Sequence, residues 1–160
     1  NMHRMILPRQ SQIWAVVKAG QPLQKLYYQI CSGLLGRLCF SGEPDALSAA
    51  QWTVMDEGTA FYGKAAPIID HGVSQRLGSR IVSYRAPRGW QAVVRRGETQ
   101  TLVVVHTFGA APEAVTLPAG GKIAAQLMRE GLTVTHLDGQ LTVHGLTDFD
   151  AAAFILENEG

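Results

Sequence analysis

The sequence predicts an α+β chain, with two strand–helix units followed by an antiparallel β-sandwich. Three observations carry this. Residues 10–70 alternate short apolar runs with amphipathic helical stretches, the repeat of an α/β barrel or a layered α/β sheet. After Asp70-His71-Gly72 the apolar period changes from helical to two-residue alternation. Turn signals then recur about every ten residues, the spacing of a sandwich. The division falls between residues 1–72 and 73–160, with a linker so short that the two parts are expected to pack together.

In the first part, Gln12–Val17 (QIWAVV) reads as a strand with apolar side chains on both faces, the pattern of a parallel strand covered by helices. Pro22 suits a first helical turn. Leu23, Leu26, Tyr27, Ile30 and Leu34 then form one stripe of a helix over 22–35, closed by Gly36. Arg37–Phe40 is a short apolar strand that must end before Pro44. Ser48 and Gln51 have the spacing of a capping box and start a helix over 48–66. Trp52, Met55, Thr59 and Tyr62 recur on one face. A right-handed crossover sets strands 12–17 and 37–40 parallel. Trp14 and Trp52 are expected in the core.

In the second part, Arg80–Arg85 reads as a strand ending at the turn Pro87-Arg88-Gly89. Trp90, Ala92 and Val94 share one face of the next strand. Leu102, Val104, His106 and Phe108 share a face of the strand after it. Val103 and Val105 make its other face apolar, so this strand is central. Ala114–Leu117 is short. Ile123, Ala125 and Leu127 point together along 122–129. Asp138-Gly139 marks a two-residue hairpin turn that sets Leu137 opposite Gln140 and Val134 opposite Val143. Ala151–Leu156 is an all-apolar last strand.

Composition excludes several functions. A formal charge of +1 gives no overall field to steer nucleic acid. There is no apolar run of membrane-spanning length, and Met2–Leu7 is too short and unpatterned for a signal peptide. Cys31 and Cys39 do not make a secreted disulfide framework, so two free thiols and a cytoplasmic location are expected. His3, His71, His106, His136 and His144 are scattered, and no metal site is expected. No nucleophile elbow or phosphate loop is present. Arg88, Arg95 and Arg96 form a small basic rim.

The stretch 34–62 carries a family resemblance. Gly36, Ser41-Gly42, Leu47-Ser48 with Gln51, Phe61-Tyr62 and Pro67-Ile68-Ile69 occur in an order that resembles the end of the catalytic barrel in α-galactosidase-type (melibiase) glycoside hydrolases. The resemblance spans roughly residues 3–85. It implies that the two strands are the last two of a (β/α)8 barrel, that Pro67-Ile68-Ile69 is a turn closing the second helix, and that the following sandwich buttresses that barrel. It also implies a parent enzyme acting on α-linked galactosides without a cofactor.

Glycoside hydrolysis usually takes a pair of carboxyl groups. In the resembling enzymes both aspartates come from earlier barrel strands, and nothing here matches those motifs. No catalytic residue is therefore assigned, and the chain alone is expected to be inactive. Glu43 and Asp45, near the barrel rim, also suit a solvated loop at a helix start. Barrel sites lie at the C-terminal ends of the strands, so Lys18 and Ser41 are the candidate substrate-binding residues. The apolar surface of residues 12–40 is expected to be covered by the missing barrel or by a second copy. The competing reading is a non-catalytic sandwich module binding carbohydrate or a partner protein, with Tyr84, Trp90 and Phe108 as its available aromatics.

Overall fold

The computed structural model describes residues 5–158; Met2, His3 and the other terminal residues of the sequence reading lie outside them. The first part contains β1 (Gln12–Val17), α1 (Leu23–Gly33), β2 (Arg37–Gly42) and α2 (Ala49–His71). β3 (Val73–Gly78), β4 (Trp90–Arg96), β5 (Gln100–Thr107) and β6 (Ala114–Pro118) follow. β7 (Lys122–Met128), β8 (Thr133–Leu137), β9 (Gln140–His144) and β10 (Ala151–Glu157) complete the order.

β1 and β2 pair in parallel, with Trp14 opposite Cys39 and Val16 opposite Ser41. The other strands make two antiparallel sheets, β3-β4-β5-β10-β7 and β6-β9-β8. The five-stranded sheet is the middle layer. Leu102, Val104, Ala153 and Ile155 on one face pack with Leu26, Ile30, Phe61 and Ile68 of the helices and with Leu34, which caps α1. Val103, Val105 and Phe154 on the other face pack with Val115, Leu141 and Val143 of the three-stranded sheet. β5 and β10 are thus covered on both sides, as their apolar runs predict. Each fully buried large side chain contributes about 1.5–3 kcal/mol.

Local chemistry explains the well-read elements. Ser48 Oγ accepts from the Gln51 amide, and Gln51 Oε1 accepts from the Ser48 amide at 3.0 Å, completing the capping box. Asp138 and Gly139 have φ of 49° and 70°, the left-handed pair that a two-residue hairpin needs. The resulting register places Leu137 opposite Gln140 and Val134 opposite Val143.

Several expectations are corrected. The buried face of α2 is Gln51, Val54, Met55, Gly58, Phe61, Ala65, Ile68 and Ile69. Trp52 and Thr59 are exposed and Tyr62 is half-buried. The true stripe includes a glutamine and a glycine, which do not register as apolar. Gly58 is needed for close approach, because a Cβ there would press on the Ile30 methyl groups at 2.8 Å. Pro67-Ile68-Ile69 is not a turn. The helix runs through Pro67, and the carbonyl of Gly63 that loses its donor lies on the exposed side.

α1 ends at Gly33 and not through Gly36, whose smallness instead lets it approach the Ser11 carbonyl. The strand expected at Arg80–Arg85 is an irregular loop, with Val82 92% exposed. Val73–Gly78 pairs with β4 instead, because this register brings Leu77 opposite Ala92 at the sandwich core. On β7, Ala125 sits opposite Ile155 but Ile123 sits opposite Leu156, so one extra residue bulges. The bulge turns Ile123 to the sandwich side while Ala125 and Leu127 face the helices.

Candidate functional site

The parallel pair presents its C-terminal ends together. Gly42 has φ 113°, and a Cβ there would run into the Val17 carbonyl oxygen. That oxygen accepts from the Glu43 amide at 3.0 Å, which latches the two strand ends. The Gln51 side chain is buried and bridges further. Its Nε2 donates to the Lys18 carbonyl at 3.1 Å and the Gln21 carbonyl at 3.2 Å. One amide therefore caps α2 and fixes the loop between β1 and α1. The sequence pattern marks Gln51 as a cap; its second role depends on where the β1–α1 loop passes.

Lys18 and Ser41 both lie exposed at this rim, as do Glu43 and Asp45. Paired residues of a sheet share a face, so the ladder defines two sides of β1–β2. Ala15 and Val17 are buried, and Leu38 and Phe40 pack on the helix core. The opposite side carries Gln12, Trp14, Val16, Arg37, Cys39 and Ser41. Trp14 is 56% exposed there and Val16 is 39% exposed. Gln12 Nε2 contacts Cys39 Sγ at 2.9 Å. The core placement expected for Trp14 and Trp52 is therefore corrected: Trp14 is on the uncovered side of its strand, and Trp52 is off the α2 stripe. Ile13, Leu38 and Phe40 turn toward the helices, leaving Trp14 and Val16 as the open apolar surface. An exposed indole can stack on a polyhydroxylated ligand, and the Ser41 hydroxyl on the same side can hydrogen-bond it. No pair of carboxylates faces this surface on its own strands.

The interior holds groups the sequence did not bring together. His106 is buried, with Nε2 3.0 Å from Ser32 Oγ. Ser32 Oγ lies 2.8 Å from the Tyr28 carbonyl and donates its one hydrogen there. Toward His106 the hydroxyl must accept, which assigns the proton to Nε2. The imidazole cannot then take the serine proton, so this is a lock between α1 and β5 and not a nucleophilic pair. Burial pushes the His106 pKa down to about 4, against a smaller upward pull from the Tyr28 backbone. Tyr28 also meets the imidazole edge-on at 5.0 Å between centroids.

Arg95, read as part of a basic rim, is instead fully buried. It donates to Ser74 Oγ at 2.8 Å and to the Leu35 and Leu34 carbonyls at 2.9 and 3.4 Å. A cation at a helix C-terminus complements the carbonyls left unpaired there. Burial lowers its pKa to about 10, so it stays charged at neutral pH. Asp150, also fully buried, accepts from Arg129 at 2.6 and 3.0 Å and from the Ala151 amide at 3.1 Å. Both cysteines are free, and burial pushes the Cys31 thiol well above its usual range.

A cleft of about 510 Å³ lies between α2 and β7, with Glu57, Lys64, Gln126 and Arg129 among its walls. A smaller one of about 280 Å³ is bounded by Arg96, Thr101, Gly120 and Asn158. Neither contains Lys18 or Ser41. Among the described residues no three His, Cys, Asp or Glu side chains converge to hold a metal. No helix among them is long and apolar enough to cross a membrane.

No family model matches this chain, and no curated protein matches it. Among solved structures it is similar to an α-amylase from Anoxybacillus described as giving insight into a new glycosyl hydrolase subclass. The TM-score is 0.55 at 15% identity, over 88% of this chain and 34% of that chain. An α-amylase from H. orenii aligns over 68% of this chain and 20% of its own, at 14% identity and a TM-score of 0.39, too low to carry an argument. The chain spans about a third of the length of the Anoxybacillus α-amylase. The likeness is one of fold: a mixed α/β chain with a β-sandwich-like domain, of a kind found within a glycosyl hydrolase. Neither structure is described as an α-galactosidase.

Proposed function

We propose that this chain acts as the C-terminal portion of a glycoside hydrolase of α-galactosidase type, acting on α-linked galactosides or related α-glycosides. β1-α1-β2-α2 supply the last two units of its barrel, and the sandwich buttresses them. The observation that carries this reading is the one-sided cover of β1–β2. Helices bury one face against the sandwich, while the other face, with Trp14, Val16 and Ser41, is left for further strands. Fold likeness to an α-amylase supports the glycosidase class, and the ordered series from Gly36 to Ile69 supports the α-galactosidase type. Lys18 and Ser41 bind substrate hydroxyls at the rim. The catalytic carboxylates belong to the units that complete the barrel, and no cofactor is used.

The sandwich-module reading gains less support. Trp90 and Phe108 are half-buried, and Tyr84 is exposed on a loop, so they do not form a row on a sheet face.

The test is hydrolysis of an aryl α-galactoside. The 160-residue chain alone should not exceed a buffer control. A protein extended by six upstream strand–helix units with their aspartates should turn substrate over, and Ser41→Ala in it should raise KM. Turnover by the short chain, abolished by Glu43→Gln or Asp45→Asn, would overturn the reading. Without attached units, the open face is shared between copies: Trp14→Glu should then weaken self-association in sedimentation, while Thr135→Glu should not.

A further inference from the structure

The formal charge of +1 conceals a segregation. Six of the 14 Lys and Arg, and none of the 13 Asp and Glu, fall between His71 and Gly97, so that segment is +6 and the rest of the chain −5. Arg95 is the buried cap of α1. Arg76, Arg80, Arg85, Arg88 and Arg96 are exposed. Among the described residues the only ion pair is Arg129–Asp150, so these five lack a carboxylate partner. Arg76 bonds the Ser79 carbonyl at 3.1 Å and Arg85 bonds the Tyr84 hydroxyl at 3.0 Å, both neutral acceptors.

Arg76 lies on β3, and Arg80, Arg85 and Arg88 lie on the loop leading from it to β4. β3 is the terminal strand of its sheet, so among the described residues one side of its backbone has no partner strand. Every residue of β3 except Leu77 is exposed. Val73 is 76% exposed on the strand and Tyr84 is 82% exposed on the loop. One charged side chain on an edge protects it against unwanted pairing, and that accounts for Arg76. It does not account for three further arginines beyond the strand, on a loop that also bares Val82 and Tyr84.

We propose that β3 and the loop 79–89 form a docking site for an acidic, extended polypeptide segment of a partner protein. The segment adds to β3 as a sixth strand, and Arg76, Arg80, Arg85 and Arg88 take its carboxylates. The open edge supplies backbone hydrogen bonds, and guanidinium groups match carboxylates with two parallel N–H bonds. A second copy of this chain is the wrong occupant, because β3 against β3 joins two positive edges with no carboxylate between them. A nucleic acid would meet the charge but has no strand backbone to pair with the edge. The site is independent of the proposed glycosidase role.

The test is fluorescence anisotropy of the full chain with a labelled peptide of alternating Val and Glu, at about 0.15 M salt. Saturable binding is expected, with slowed amide exchange at residues 74–78. Arg80→Glu with Arg85→Glu, both on the exposed loop, should weaken binding at least about tenfold. Lys122→Glu, on the opposite edge strand, should leave it unchanged. The proposal is overturned if the peptide does not bind or if exchange at β3 is unaffected. It is also overturned if an N-methylated peptide, or a single-stranded oligonucleotide of equal charge, binds as tightly.

Discussion

Phe154 and Trp14 are both large aromatic side chains in the middle of an apolar strand. Phe154 is fully buried and Trp14 is 56% exposed. The contrast is that between the two halves of the molecule. β10 lies between α1 and α2 on one side and the three-stranded sheet on the other. β1 has helices on one side only. An apolar run on both faces states what a strand needs to be covered by; it does not state that its own chain supplies the cover. In the sandwich the need is met internally. In β1–β2 it is half met, and the remainder is the feature on which the functional reading rests.

The largest expected effect lies in the sandwich. Phe154→Ala should cost about 3–5 kcal/mol by denaturant unfolding, because it empties the centre of a fully covered sheet. A loss below about 1 kcal/mol would show that β10 is not so enclosed.

The next effect sits where the halves meet. The His106 pKa is lowered to about 4 in the folded chain, against 6.5 ordinarily. The unfolded chain therefore binds the proton more readily. The stability from keeping this imidazole neutral is fully present above about pH 6.5 and is lost as pH falls toward 4, about 3 kcal/mol in all. His106→Asn should flatten this part of the pH–stability curve; an unchanged slope between pH 6.5 and 4 would contradict the burial of the imidazole.

Gly139→Val should cost about 1–3 kcal/mol through backbone strain at positive φ in the β8–β9 turn. An unchanged denaturant midpoint would refute that turn. The smallest effect is expected for Trp14→Ser in the isolated chain, diluted until it is monomeric, within about 0.5 kcal/mol. A larger loss there would mean that the monomer itself covers this face.

The same contrast explains what was legible in the sequence. Strands β4, β5, β9 and β10 were readable because alternation and turn chemistry are local. So were the parallel pairing of β1 and β2 and the Ser48–Gln51 cap. Three features depended on neighbours distant in sequence. The α2 stripe runs through Gly58, whose value lies only in admitting Ile30. The edge strand is Val73–Gly78 and not Arg80–Arg85, because Leu77 reaches the core and Val82 does not. Arg95 looked like surface charge because the carbonyls it caps, Leu34 and Leu35, are some sixty positions away. At the rim, Lys18 and Ser41 were placed by strand ends alone. The amide of Gln51 that fixes the Lys18 loop was seen only as a cap.

The claim of unequal cover is tested most directly by hydrogen exchange of the isolated chain, diluted until sedimentation shows a monomer. Peptides spanning residues 12–17 and 37–42 should exchange at least about tenfold faster than the peptide spanning 151–157. A strand pair open on one face opens locally, whereas β10 opens only with the whole fold. Equal protection of the two regions in a chain shown to be monomeric would contradict the account.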